Sequence, residues 1–127
     1  MANTNNTHFR NTERAPHEIA DLLLALPADF MINKKHPDEI YLMADAVERH
    51  AANAKNTLLS GLEAIGTTMF AAATNENDEL DRSTIADLGC LIRHIAVEVQ
   101  FLSGREEECA GVQRKGESFT AKKGGAQ

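Results

Sequence analysis

The chain has 127 residues, a net charge of −6 and a composition that is 43% hydrophobic but only 5% aromatic, without tryptophan. This length suits one small domain, and no apolar run approaches the roughly 20 residues that span a bilayer. The N-terminus lacks the apolar stretch of a secretory signal, and Cys90 and Cys109 fall in helical patterns rather than in a disulfide framework. We therefore expect a cytoplasmic protein without a membrane segment.

The first part of the chain is predicted to contain one short helix. Residues 1–15 are rich in Asn and Thr, show no periodicity and are expected to be disordered. Pro16 suits the first turn of a helix, which should cover residues 16–26 and end before Pro27. The apolar side of this helix carries Ile19, Leu22, Leu23 and Leu26. The loop that follows should cover part of the core with Phe30, Met31 and Ile32.

A long second helix is predicted over residues 38–74. Pro37 precedes it, and Asp38 and Glu39 lie in its first turn, where acidic side chains suit the positive end of the helix dipole. At 1.5 Å per residue this helix is roughly 55 Å long. Its apolar residues recur in steps of three and four, which places them on one side. They are Ile40, Val47, Ala51, Ala54, Leu58, Leu62, Ile65, Met69 and Ala72.

A third helix is predicted over residues 84–109, after a polar, acidic loop. Ser83 is a suitable N-cap, and Gly111 is expected to terminate the helix. The remainder, residues 111–127, is predicted to be a flexible basic tail with a net charge of +3, whereas residues 38–110 carry a net charge of −9. Residues 16–110 would then form a single helical domain. The apolar residues of the third helix are Ile85, Leu88, Ile92, Ile95, Val99 and Leu102.

The two apolar patterns predict a long antiparallel helical hairpin. If the connecting loop is centred near residue 78, residues that face each other have numbers that sum to about 157. The two stripes then align at six positions. The expected pairs are Ala72 with Ile85, Met69 with Leu88, Ile65 with Ile92, Leu62 with Ile95, Leu58 with Val99, and Ala54 with Leu102.

Both long helices also carry apolar residues that lie off this seam, and a helix with a wide apolar arc must bury it against something. These residues are Leu42, Met43, Leu59, Phe70, Leu91 and Phe101. The short helix is about 16 Å long, so it can cover only about a third of the hairpin. We therefore expect a homodimer, in which two hairpins form a four-helix-type bundle. The alternative is a monomeric three-helix bundle.

One group of residues has the types and spacing of a metal site. Cys90 and His94 are four residues apart, and the predicted register places Glu63 opposite His94. No fourth ligand is evident, and we favour a His–Glu ion pair with Cys90 as a small apolar filler. We expect no bound cofactor. His50 and Arg49 are expected to form surface pairs with Glu106–Glu108.

No residue cluster identifies a reaction. Nucleophilic catalysis requires a Ser or Cys with a positioned base and an orienting third group, and the serines of this chain have helical or capping positions. Gly61, Gly66 and Thr67 match part of a phosphate-binding loop, but its lysine is missing. We therefore expect a protein that is not an enzyme.

In size and composition the chain resembles small acidic helical proteins of phages and other bacterial mobile elements, without any diagnostic motif. The wide apolar surface, without concentrated reactive groups, predicts a non-enzymatic protein–protein interaction module, and the resemblance implies inhibition of a larger bacterial complex as the narrower version. A metal- or small-ligand-binding bundle is one alternative. The other is a nucleic-acid-associated protein that uses its basic tail, although the acidic body disfavours contact with a phosphate backbone.

Overall fold

The computed structural model describes residues 6–76 and 80–124, with the side chains of residues 122–124 excluded. Within these residues the chain forms three helices, α1 (Ala15–Ala25), α2 (Asp38–Thr74) and α3 (Arg82–Gly124). Helices make up 81% of the described residues, and no strand occurs among them, so the predicted all-α class is confirmed. The predicted features at residues 1–5, 77–79 and 125–127 lie outside the described part.

Helix α1 follows a single 3-10 turn, Thr12–Arg14, and its apolar side faces the core as predicted. Ile19, Leu22 and Leu26 are buried, and Leu23 packs against them. Of the three apolar residues in the following loop, only Phe30 reaches the core. Met31 and Ile32 are exposed, so the expectation that they cover the core was wrong.

As the residue number rises along α2, the number of the α3 residue that it meets falls. Glu48 accepts a hydrogen bond from Gln113, Lys55 Nζ donates to Glu106 Oε2 at 2.5 Å, and Met69 and Leu88 line one groove. Burial is concentrated at one end of this helix pair. The buried residues on the two helices include Met43, Val47, Ala51, Ala54, Leu102, Cys109 and Val112.

The prediction that the third helix ends near residue 109 was wrong, because α3 continues to Gly124. Gly111 does not terminate it, since no described glycine has a positive φ. The helix continues because buried positions recur beyond Gly111. Val112 is 4% exposed, and Gly116 lies against the Tyr41 ring of α2. The described part of the predicted flexible tail is therefore helical, and its first two turns pack on the start of α2.

The start of α3 also differs from the prediction. Helix α3 begins at Arg82 rather than residue 84, and Asp81 rather than Ser83 serves as its cap. The backbone N–H of Thr84 donates to Asp81 Oδ1 at 2.7 Å. This hydrogen bond lowers the pKa of the Asp81 carboxyl below its usual value, because it favours the ionised form.

Residues 6–14, which we call the N-terminal strap, pack along α2 instead of being disordered as predicted. Asn6 is buried, and its Nδ2 donates to Asp45 Oδ2 at 2.9 Å and to the Leu42 carbonyl at 2.6 Å. At the other end of the strap, Asn53 Nδ2 donates to the Thr12 carbonyl at 3.0 Å. Side chains of α2 thus hold the strap at both ends.

The strap also explains why the predicted surface pairing of His50 with Glu106–Glu108 was wrong. His50 is completely buried, and its ring lies 4.7 Å from the Phe9 ring and 3.0 Å, at Nε2, from the His8 carbonyl oxygen. Arg49 stacks over Phe9 at 4.0 Å and pairs with Asp45 at 3.8 Å, rather than with Glu106–Glu108. The strap therefore seals polar as well as apolar side chains of α2.

In the described part of the chain, none of the helices combines the length and the apolar content that are needed to cross a bilayer.

Candidate functional site

The distal arm, which we define as residues 59–74 of α2 and 82–98 of α3, is the part of the molecule that α1 and the strap leave uncovered. Among the described residues, none of α2 beyond Ala54 is buried, and none of α3 before Leu102 is buried except Ile95. A cleft lined by Thr12, Pro16 and Leu58 marks the place where the cover ends. The described helices therefore divide into an open arm and a sealed base, which we define as the strap, α1, residues 38–58 of α2 and residues 99–124 of α3.

The α2 half of the arm lacks the charges that normally keep an exposed helix in water. Residues 56–74 contain one charged side chain, Glu63, whereas residues 38–55 of the same helix contain six. Within this neutral stretch Phe70 is 72% exposed and Leu59 is 44% exposed. Large exposed apolar side chains on a stretch of helix with a single charge indicate an interaction site.

One side of the arm contains an apolar groove of about 240 Å³. Its lining residues are Ala64, Ile65, Thr68, Met69, Ala72, Leu80 and Leu88. The groove lies along the seam between the two helices, close to the end at which α2 finishes and α3 begins. Small side chains of α2 keep it shallow, so a partner side chain could contact the seam directly.

Four of the six predicted interface residues are exposed, namely Leu59, Phe70, Leu91 and Phe101. The prediction for Met43 was wrong, because it belongs to the core and is 8% exposed. Leu42 is partly buried, with its carbonyl beneath Asn6. Both residues lie at the base, where the strap and α1 provide the cover that the sequence led us to expect from a second copy.

The metal candidates are not gathered into a site. Glu63, Cys90 and His94 are all exposed, and His94 Nε2 lies 3.9 Å from Glu98 Oε1 one turn along α3, so the expected pairing of His94 with Glu63 was wrong. In the residues that the structure describes, no group of three or more His, Cys, Asp or Glu side chains could hold a metal ion.

The buried thiol lies elsewhere, at Cys109 in the base. Burial raises its pKa to about 12, and the adjacent Glu108 carboxylate acts in the same direction. A cysteine reacts as a nucleophile and binds metals through its thiolate, the form that burial disfavours at Cys109. Cys109 thus acts as a small apolar core residue.

A cleft of about 510 Å³ lies at the base between the start of α2 and the last turns of α3. Its lining is mixed in charge, with Lys35, Asp38 and Glu117 around Tyr41. Arg114, one of the basic residues that the sequence assigned to a tail, lines another cleft together with Arg49 and the carboxylates of Asp45, Glu48 and Glu117. The positive charge of Arg114 is therefore set beside three carboxylates.

Sequence reasoning named several residues of the arm but missed the strap that distinguishes it from the base. The sequence also contains a signal for the arm, since Glu63 is the single charged residue between positions 56 and 74. The strap left no periodic signal, because it is held by individual side-chain hydrogen bonds. No protein-family model, curated protein or solved structure matches the chain.

Proposed function

We propose that the chain is a protein–protein interaction module in which the base is a folded platform and the distal arm binds other proteins. The observation that carries this proposal is the contrast within α2, whose covered half is charged and whose uncovered half is neutral and apolar. Exposing Phe70 and Leu59 to water is unfavourable, at about 25 cal/mol per Å² of apolar surface. A partner that covers them recovers that free energy.

In this proposal α2 and α3 form a long antiparallel hairpin, and two copies associate through their arms. The hairpin is supported by the order of the contacts, since Glu48 pairs with Gln113 and Lys55 with Glu106. A single hairpin leaves both sides of the arm open, so one side is available for a second copy while the other, with its groove, is available for a different protein. Inhibition of a larger bacterial complex is the narrower form of the proposal.

The experiment uses site-specific photocrosslinking with the full-length chain in a bacterial lysate. A photoreactive phenylalanine analogue at Leu91, beside the groove, should capture a discrete protein. The matched control places the same analogue at Leu24, which is 86% exposed but lies on the base. Capture at Leu91 that is absent at Leu24 supports the proposal, whereas equal capture at the two sites, or none at Leu91, contradicts it.

A further inference from the structure

We propose that a second copy of this chain packs on the face of the distal arm that carries Leu59 and Phe70, with a two-fold axis parallel to the helices. In this dimer α2 of each copy lies against α3 of the other, and the four arm helices form a bundle. The inference rests on the proposed function, and it adds which face of the arm is used, by which partner and in which register.

The two helices present matching residues on this face. Around the helix axis, at about 100° per residue, Leu59 and Phe70 lie roughly 100–120° from the Ile65–Met69 seam. On α3, Ile85 and Gly89 lie roughly 70–110° from the seam, in the same rotational sense. Because α2 and α3 run in opposite directions, an equal sense of rotation brings all four residues to one face.

Charge selects this face over the opposite one. The opposite face carries Asp87 and Glu98 on α3, so a second copy packed there would bury these carboxylates against residues 56–74 of its α2, which contain no basic side chain to pair with them. The proposed face carries Glu63 and Arg93 at its edges. Within the described residues neither of these two side chains has an ion-pair partner, and the two-fold operation places Glu63 of each copy beside Arg93 of the other.

The register follows from Met69 and Leu88, which line the same groove from opposite helices, and we infer that they lie at the same level along the arm. Phe70 is therefore level with residue 87, between Ile85 and Gly89. In the dimer the ring of Phe70 packs across Gly89 of the other copy. Phe70 is 72% exposed, and a Cβ built on Gly89 would meet nothing within 4 Å, so the ring has room at that position.

The size of the face is sufficient for a stable dimer. The arm is about 24 Å long and two helices, or about 20 Å, wide, so its projection is roughly 500 Å². Accessible area exceeds projected area on a corrugated helix surface, which brings each copy near the ~800 Å² per partner of a standard interface. The face is also uncharged at its centre, so it can meet itself without repulsion although the chain carries a net charge of −6.

Sedimentation equilibrium of the full-length chain tests the inference. The wild type should dimerise, and Phe70→Ala should weaken the dimer about tenfold or more, since a central aromatic anchor is lost. Gly89→Leu should weaken it as strongly, because the leucine occupies the space of the ring. Circular dichroism should show that both variants keep the helical content of the wild type, and Leu24→Ala is the matched control that leaves the dimer unchanged.

A charge reversal tests the register. Glu63→Arg alone and Arg93→Glu alone should each weaken the dimer several-fold, and the double variant E63R/R93E should restore it. A chain that stays monomeric, a dimer that ignores Phe70→Ala and Gly89→Leu, or single reversals that the double variant does not rescue would each overturn the inference. Capture of a bacterial protein at Leu91 by a monomeric chain would leave the proposed interaction function standing while this inference fails.

Discussion

Replacing Gly116 by alanine tests how α3 packs against the start of α2. In an exposed helix the change from glycine to alanine stabilises by up to about 1 kcal/mol. At Gly116 the structure predicts the opposite sign. A Cβ at this position would meet Cζ and Cδ1 of the Tyr41 ring at 2.7 and 2.8 Å, which is closer than carbon atoms approach, so the ring must move.

The magnitude combines three effects. Forcing a methyl group into a packed position costs about 1–3 kcal/mol. Moving the ring also disturbs the hydrogen bond from the His36 backbone N–H to the Tyr41 hydroxyl, 3.0 Å long and worth about 0.5–1.5 kcal/mol. The gain in helix propensity of about 1 kcal/mol offsets part of these costs. We expect Gly116→Ala to destabilise the fold by about 1–3 kcal/mol.

Gly104→Ala is the matched control, because a Cβ at Gly104 meets nothing within 4 Å. This variant should gain up to about 1 kcal/mol, since only helix propensity changes. Urea denaturation followed by circular dichroism at 222 nm measures both free energies of unfolding. If the two variants stabilise the chain equally, α3 does not pack on Tyr41 and the reasoning about its last turns is refuted.

Three further predictions concern the seam, the strap and the cysteines. Ile95 is buried in the seam of the arm, so Ile95→Ala should destabilise the fold by about 2–4 kcal/mol. The control Val97→Ala, at a side chain that is 63% exposed, should change stability by less than about 0.5 kcal/mol. Equal effects of the two variants in denaturation would contradict the packing of Ile95 between the helices. Asn6→Ala should lower the free energy of unfolding by about 1–3 kcal/mol, because Asp45 loses its buried hydrogen-bond donor, and it should speed proteolysis of the strap. The side chain of Asn11 makes no cap hydrogen bond, so the control Asn11→Ala should have neither effect. At pH 8 a thiol reagent should modify one cysteine per native chain, the exposed Cys90, because Cys109 is buried and its raised pKa keeps it protonated; rapid modification of both would show that the base is open.

The sequence predicted the bounds of α2 correctly because both ends carry local signals. Pro37 and two acidic residues mark its start, and the polar loop follows Thr74. The end of α3 was missed because Gly111 was interpreted as a terminator on its local chemistry alone. The predicted register contained the correction: facing residues that sum to about 157 place Asp38 opposite residue 119, so α3 has to continue past Gly111 to cover α2.

The base could not be predicted in the same way. The strap is held by specific hydrogen bonds of Asn6, Asn53 and His50, and single polar residues give no periodic signal in the sequence. Periodicity identifies which side of a helix is apolar, but it does not show that a polar segment covers that side. For the same reason Met43 was predicted to be at an interface between copies when it lies in the core.

Hydrogen exchange along the full-length chain, measured at increasing protein concentration, tests most directly whether the arm is the interaction surface. We expect peptides from residues 59–74 and 82–98 to gain protection as association proceeds, while peptides from α1 and the strap exchange at unchanged rates. Two results would contradict this: protection that increases in α1 or the strap instead, or unchanged exchange in the arm when the chain has formed a dimer.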